Sequence, residues 1–323
     1  MSPLIAVAVV GYIAVVLYAV LGGADFGGGV WDLLASGPRR GEQRQAISNA
    51  IGPVWEANHV WLIFAIVLLF TCFPPAFADL ATGLFAPLSF ALVGIVLRGA
   101  AFVFRNYGAT IPGIEAGGTV VFGIASLLTP FFLGDAIGAV ATGHYAWTEP
   151  FAISVGFFAV GVCAQIAAVF LVREIPPSPL QDDFRRRAVR ATLAVWFLGA
   201  IPVAFAAAGE PALFRALLQP WAVGSIGIAL VSGLLVIACI YRRADGTARV
   251  VVGLEAAAVL AGWFGAQGDS LIPGRMTYGE AAAGDATLSA FLLATVVGAI
   301  VLVPSLVLLF RVFKREALPI PPP

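Results

Sequence analysis

Runs of about twenty apolar residues recur along almost the whole chain, more hydrocarbon than one soluble domain can bury. At 1.5 Å of helix rise per residue, each run is as long as a bilayer core is thick. About nine can be read, near 4–34, 54–74, 80–104, 118–142, 150–172, 189–208, 218–241, 249–267 and 286–312. They leave no stretch long enough for a folded soluble domain. Composition agrees, with 60% hydrophobic and 11% charged residues and a mean hydropathy of +0.97. The first run leads into glycines and not into a cleavage site, so a retained span is expected there. The reading is an all-α polytopic membrane protein.

The basic residues then fix an orientation. With the N-terminus outside, sixteen of the eighteen Lys and Arg fall on one side, and only Arg215 and Arg275 fall opposite. One missed span would scramble that bias. The positive-inside rule makes the rich side cytoplasmic, with the N-terminus out and the C-terminus in. Because the formal net charge is zero, no global field recruits nucleic acid, and topology accounts for the basic clusters. Cys72, Cys163 and Cys239 lie in or beside apolar runs without CxxC spacing and read as packing residues. Trp31, Trp55 and Trp61 read as anchors near the inner interface.

A hydrophilic linker over 173–187, carrying PPSP and a run of acids and arginines, follows the fifth span. Its position divides the spans five plus four; four plus four plus one is also open, since four-helix packing units are common, and a single irregular bundle is as compatible. No residue-level repeat chooses between them. Prolines 87, 130, 202 and 304 lie inside spans, where neighbouring helices can satisfy the freed carbonyls. Pro53 suits the first turn of the second span.

Charges in hydrocarbon are expensive, so each buried one needs a partner, a water or a role. Asp25 stands in GGADFGGGVWD, 21 residues after Leu4 and therefore about 30 Å below the outer face. Asp32, seven residues on, shares its face, and Gly22, Gly28 and Gly29 leave room beside the carboxylate for water or another backbone. Asp25 is read in two compatible ways: paired with Arg98 to fix packing, or carrying protons. Glu56 opens the second apolar run in PVWEANHVWLI, with His59 on the same face. At a helix start the dipole favours its anion, whereas burial opposes it. Asp25, Glu56, Arg98 and Glu255 all fall in the cytoplasmic half, and Asp135 in the outer half. Acids reaching in from one side suit a proton entry route better than an ion pore, which is lined at every depth.

Only two His (His59 and His144) and two Met are present, too few to hold a set of haems. His59 without a companion ligand reads as a hydrogen-bonded packing residue, and no metal site is expected. No P-loop, GxSxG or HExxH occurs, and the glycine run follows no strand, so it is no dinucleotide fingerprint.

GGADFGGGVWDLL, ISNAIGPVWEANHVWLIFAIVLLFTCFPPAFA, LRGAAFVFR and IPGRMTYGEAAAGDATLSAFLL together resemble subunit II of the cytochrome bd-type quinol oxidases. The resemblance covers essentially the full chain and includes the cyanide-insensitive relatives. It implies a haem-free partner of a haem-bearing subunit I, which holds haems b and d, or b only. The complex would oxidise quinol at the outer face of a bacterial cytoplasmic membrane and reduce dioxygen to water with protons from the cytoplasm. Two four-helix bundles plus one helix are implied, 1–142 and 150–267 with the ninth helix at 286–312. A proton path carries over onto Asp25 and Glu56, supported by Trp55, His59 and Arg98. A quinone and a small single-span accessory subunit are further candidate partners. The family pattern LRGxAFEFR carries an acid where this chain has Val103. A proton-coupled secondary transporter is the alternative, with Gly22–Gly29 as a broken helix, although the second half shows no matching break.

Overall fold

The computed structural model describes residues 2–107 and 114–315, and the side chains of these except at 51–57, 105–107, 114–116 and 309–315. Ser2 opens α1 (Pro3–Leu33). Its hydroxyl accepts the Ile5 N–H at 3.4 Å, and Pro3 stands in the first turn, where a missing N–H costs nothing. Proline in the first turn also opens α3 (Pro74–Gly83), α6 (Pro150–Glu174), α7 (Pro179–Gly209), α8 (Pro211–Leu217) and α9 (Pro220–Tyr241). The other helices are α2 (Arg40–Cys72), α4 (Phe85–Tyr107), α5 (Ile114–Thr142), α10 (Asp245–Gln267), α11 (Tyr278–Ala281) and α12 (Asp285–Arg315). Among the described residues, eight helices are long and apolar enough to cross a membrane. A bent pair, the end of α2 and α3 at 117°, would make a ninth.

Three boundaries differ from the hydropathy reading. Helix α2 begins at Arg40, well before the expected 54, so Pro53 and Glu56 lie inside it and its N-terminal dipole acts at Arg40 instead. A polar stretch can continue a helix outside hydrocarbon, and hydropathy is blind to it. The expected span 80–104 is divided, because α3 ends at Gly83 and Leu84, outside helical geometry, separates it from α4. The linker 173–187 shrinks to 175–178, because the Ser178 hydroxyl accepts the Gln181 N–H at 3.3 Å and Pro179 begins α7. Its charged residues are therefore helical. Arg185 is buried and donates to Ile240 O (2.7 Å) and Asp245 Oδ2 (2.6 Å), fastening α7 to the α9–α10 turn.

Helix α6 lies at the centre, packed on α1, α5, α7 and α10. Its residues from Gln165 to Val172 are buried without a break, the pattern of a helix with neighbours all round. α1 packs on α2 and α5, and α5 on α4; α7 and α10 both pack on α9, and α12 lies against α1 and α2. On the other side of the spans, β1 (Ser270–Ile272) and β2 (Met276–Thr277) form a small antiparallel hairpin, absent from the all-α expectation because five residues give no periodicity. Asp79 accepts from Tyr145 Oη (2.6 Å) and from Arg275 Nη2 (2.7 Å), and the Arg275 guanidinium sits 4.7 Å from the Tyr145 ring. The Asp79 carboxylate holds the Arg275 guanidinium above its ordinary pKa.

Candidate functional site

Each glycine in GGADFGGG has a particular neighbour. A Cβ on Gly27 would collide with the carbonyl oxygen of Cys163, and one on Gly23 would stand 2.9 Å from Ile166 Cδ1, so α1 and α6 meet backbone to backbone. A Cβ on Gly29 would collide with Ser126 Oγ of α5. Of the glycines expected to leave room beside Asp25, Gly29 has its space filled by Ser126 of α5, while Gly28 lines a small cavity with Ala24, Ala50 and Ala167. Trp31, read as an interfacial anchor, donates its indole N–H to Ala164 O at 2.8 Å and ties α1 to α6.

This close packing excludes solvent from Asp25 altogether and leaves Arg98 only 2% exposed. Arg98 binds Asp25 through both terminal nitrogens, Nη1 to Oδ2 at 2.7 Å and Nη2 to Oδ1, and also reaches Asp25 O at 3.1 Å. Its Nε donates to Ser126 Oγ at 2.9 Å, and that hydroxyl donates to Phe122 O at 2.7 Å. Phe26 and Phe122 flank the guanidinium at 5.0 and 4.7 Å. From α2, Asn58 Nδ2 donates to Asp25 Oδ2 at 2.6 Å. One ion pair therefore gathers α1, α2, α4 and α5. A bidentate, fully hydrogen-bonded pair is the geometry that offsets the cost of burying two charges.

Of the residues expected here, Asp25 and Arg98 come together, and His59 is half-buried next to Asn58 in α2. The side chains of Trp55 and Glu56 lie outside the described residues. Asn58 and Ser126 were not expected. Asn58 stands within the quoted PVWEANHVWLI block, but nothing in the sequence marks Ser126.

A second polar centre lies among α6, α7 and α10. Gln165 Nε2 donates to Glu255 Oε2 at 2.7 Å and to Thr192 Oγ1 at 3.2 Å, and Thr192 donates to Ala188 O at 3.0 Å. Glu255 is buried and has no cationic partner among the described residues. Asp135 is likewise buried, with neither carboxylate oxygen hydrogen-bonded among the described residues. The acids expected in one cluster are thus divided between separate helix groups, and Glu255 does not meet Asp25.

The family model for cytochrome bd terminal oxidase subunit II matches residues 2–313, with this ion pair inside the matched region. The chain belongs to that family. Among curated members, the Bacillus subtilis cytochrome bd ubiquinol oxidase subunit 2 is 36% identical over 92 residues, 28% of this chain and 27% of that one. The Escherichia coli K12 cytochrome bd-I ubiquinol oxidase subunit 2 is 26% identical over 171 residues, 48% and 44% of the two chains. These alignments span less than half of either relative. The likeness in fold extends further: a chain of the bd oxidase from Geobacillus thermodenitrificans superposes with a TM-score of 0.82 over 97% of this chain and 99% of its own, at 20% identity.

Proposed function

We propose that this protein is the haem-free subunit II of a bd-type quinol:oxygen oxidoreductase in a bacterial cytoplasmic membrane, N-terminus out and C-terminus in. The match of the subunit II family model over residues 2–313 carries this reading. Its partner is a larger subunit I that holds the haems, b and d or b only, and the complex takes electrons from quinol to reduce dioxygen to water. Residues 1–142 and 150–267 form two four-helix bundles, and 286–312 the ninth helix. One feature of this chain supports the division: α6, α7, α9 and α10 pack in a ring, each on two of the others.

Within the complex, Glu56 and Asp25 lead cytoplasmic protons toward the haem subunit. Asn58, two residues beyond Glu56, is hydrogen-bonded to Asp25 and fixes the rotation of α2. A proton reaching Asp25 leaves its pair with Arg98 carrying one net positive charge in a low-dielectric site, which favours onward transfer. Arg98 holds Asp25 in place, and Trp55 and His59 support the path.

Purification in mild detergent tests the assignment. A larger subunit with a reduced-minus-oxidised haem spectrum should co-isolate; a colourless protein without that partner would refute it and favour a transporter. For the path, Glu56→Gln should slow oxygen consumption by roughly 10²-fold while haem content and assembly stay at the parent level. A fall in haem content parallel to activity would make Glu56 structural.

A further inference from the structure

Where the α1–α2 loop meets the start of α7, a cavity of about 240 Å³ is lined by Arg39, Arg186, Arg187 and Arg190 together with Gln43 and Asp183. Four guanidinium groups face one carboxylate. Asp183 accepts from Arg39 (2.8 Å, two bonds) and from Arg186, which accounts for one charge of the four. Arg187 donates to Gln43 Oε1 at 2.7 Å and is held over the Phe184 ring at 4.9 Å; its Nη1 is buried with no hydrogen-bond partner among the described residues. No carboxylate pairs with Arg187 or Arg190 among the described residues. The cavity therefore has unmet positive charge and a donor already oriented by its packing.

We propose that this cavity receives the phosphate of an anionic membrane phospholipid. Basic pockets between helix ends at a membrane face take lipid phosphates by such forked donors. The surface below the cavity favours a lipid over a soluble phosphate. Arg186, Arg190, Leu193 and Phe197 follow one stripe of α7. Leu193 and Phe197 are 50% and 70% exposed, so an apolar track runs about 10 Å into the membrane from Arg190. A headgroup among the arginines would lay its acyl chains on that track.

The test titrates the detergent-purified, delipidated protein, with whatever partner co-isolates, against phosphatidylglycerol, phosphatidylcholine or inorganic phosphate, and counts bound lipids by native mass spectrometry. One tight phosphatidylglycerol should bind, and phosphatidylcholine should not replace it. At about fivefold per arginine, R186Q/R190Q should weaken that one site about thirtyfold. R190Q alone, which removes a side chain with no described contact, should cost about fivefold and covers the case in which the double variant fails to fold. L193S/F197S should weaken phosphatidylglycerol binding. Unchanged phosphatidylglycerol affinity in R190Q would overturn the proposal. So would release of the lipid by inorganic phosphate with L193S/F197S silent, which would make this a site for a soluble anion.

Discussion

At Asp25 and Arg98 two charges sit where neither could remain alone. Removing one partner of such a pair strands the other, at about 3–5 kcal/mol, whereas removing both charges together is far milder. Arg98→Gln should therefore lower the thermal midpoint of the purified protein sharply, and Asp25→Asn combined with Arg98→Gln should recover most of the loss. If the double variant is no more stable than Arg98→Gln alone, the pair is not the unit that matters. Glu255 poses the opposite case, since its described partners are neutral. Glu255→Gln keeps an oxygen for the Gln165 amide and should be nearly silent, while Glu255→Leu strands that donor at about 1–3 kcal/mol. Thermal unfolding of the two variants side by side checks this. Asp25 and Arg98 could be picked out of the sequence because ionised residues are rare in apolar runs. Asn58 and Ser126 could not, because neither carries a charge and their importance lies in where they point.

Among the elements, the meeting of α1 with α6 depends most on missing atoms. Gly27 has the Cys163 carbonyl where its side chain would be, so a larger residue must push the two helices apart. Gly27→Val should destabilise by about 1–3 kcal/mol or more through overpacking. Gly253, whose nearest non-local atom would lie 3.9 Å from an added Cβ, should accept alanine and gain about 0.5–1 kcal/mol of helix stability. A midpoint that falls equally in both variants would count against this packing account. The apolar runs placed the starts of α1 and α6 within a residue, at 4 and 150, but not that of α7, whose charged first turns were read as linker. Nor did they place the start of α2. Its first turns, RGEQRQ, are polar, and a hydropathy window sees only the part of a helix that lies in lipid.

Across the whole molecule, sixteen of eighteen basic residues fall on one side of the expected spans, and the proposed orientation puts that side in the cytoplasm. In a background without the three native cysteines, Asp269→Cys should react with a membrane-impermeant maleimide on intact cells. Pro177→Cys should react only after permeabilisation, and the reverse pattern would invert the orientation. The amino-acid sequence by itself determined how many apolar segments there are, which face carries the arginines, and that Asp25, Arg98 and Glu255 lie at depth. Tertiary structure alone decided that Asp25 meets Arg98 and Asn58, while Glu255 meets Gln165 across a different set of helices. The reason is geometric. Hydropathy positions each residue along the membrane normal, but rotation about each helix axis and the choice of neighbour are set by packing, where a missing Cβ on Gly27 or Gly29 selects which helix can approach.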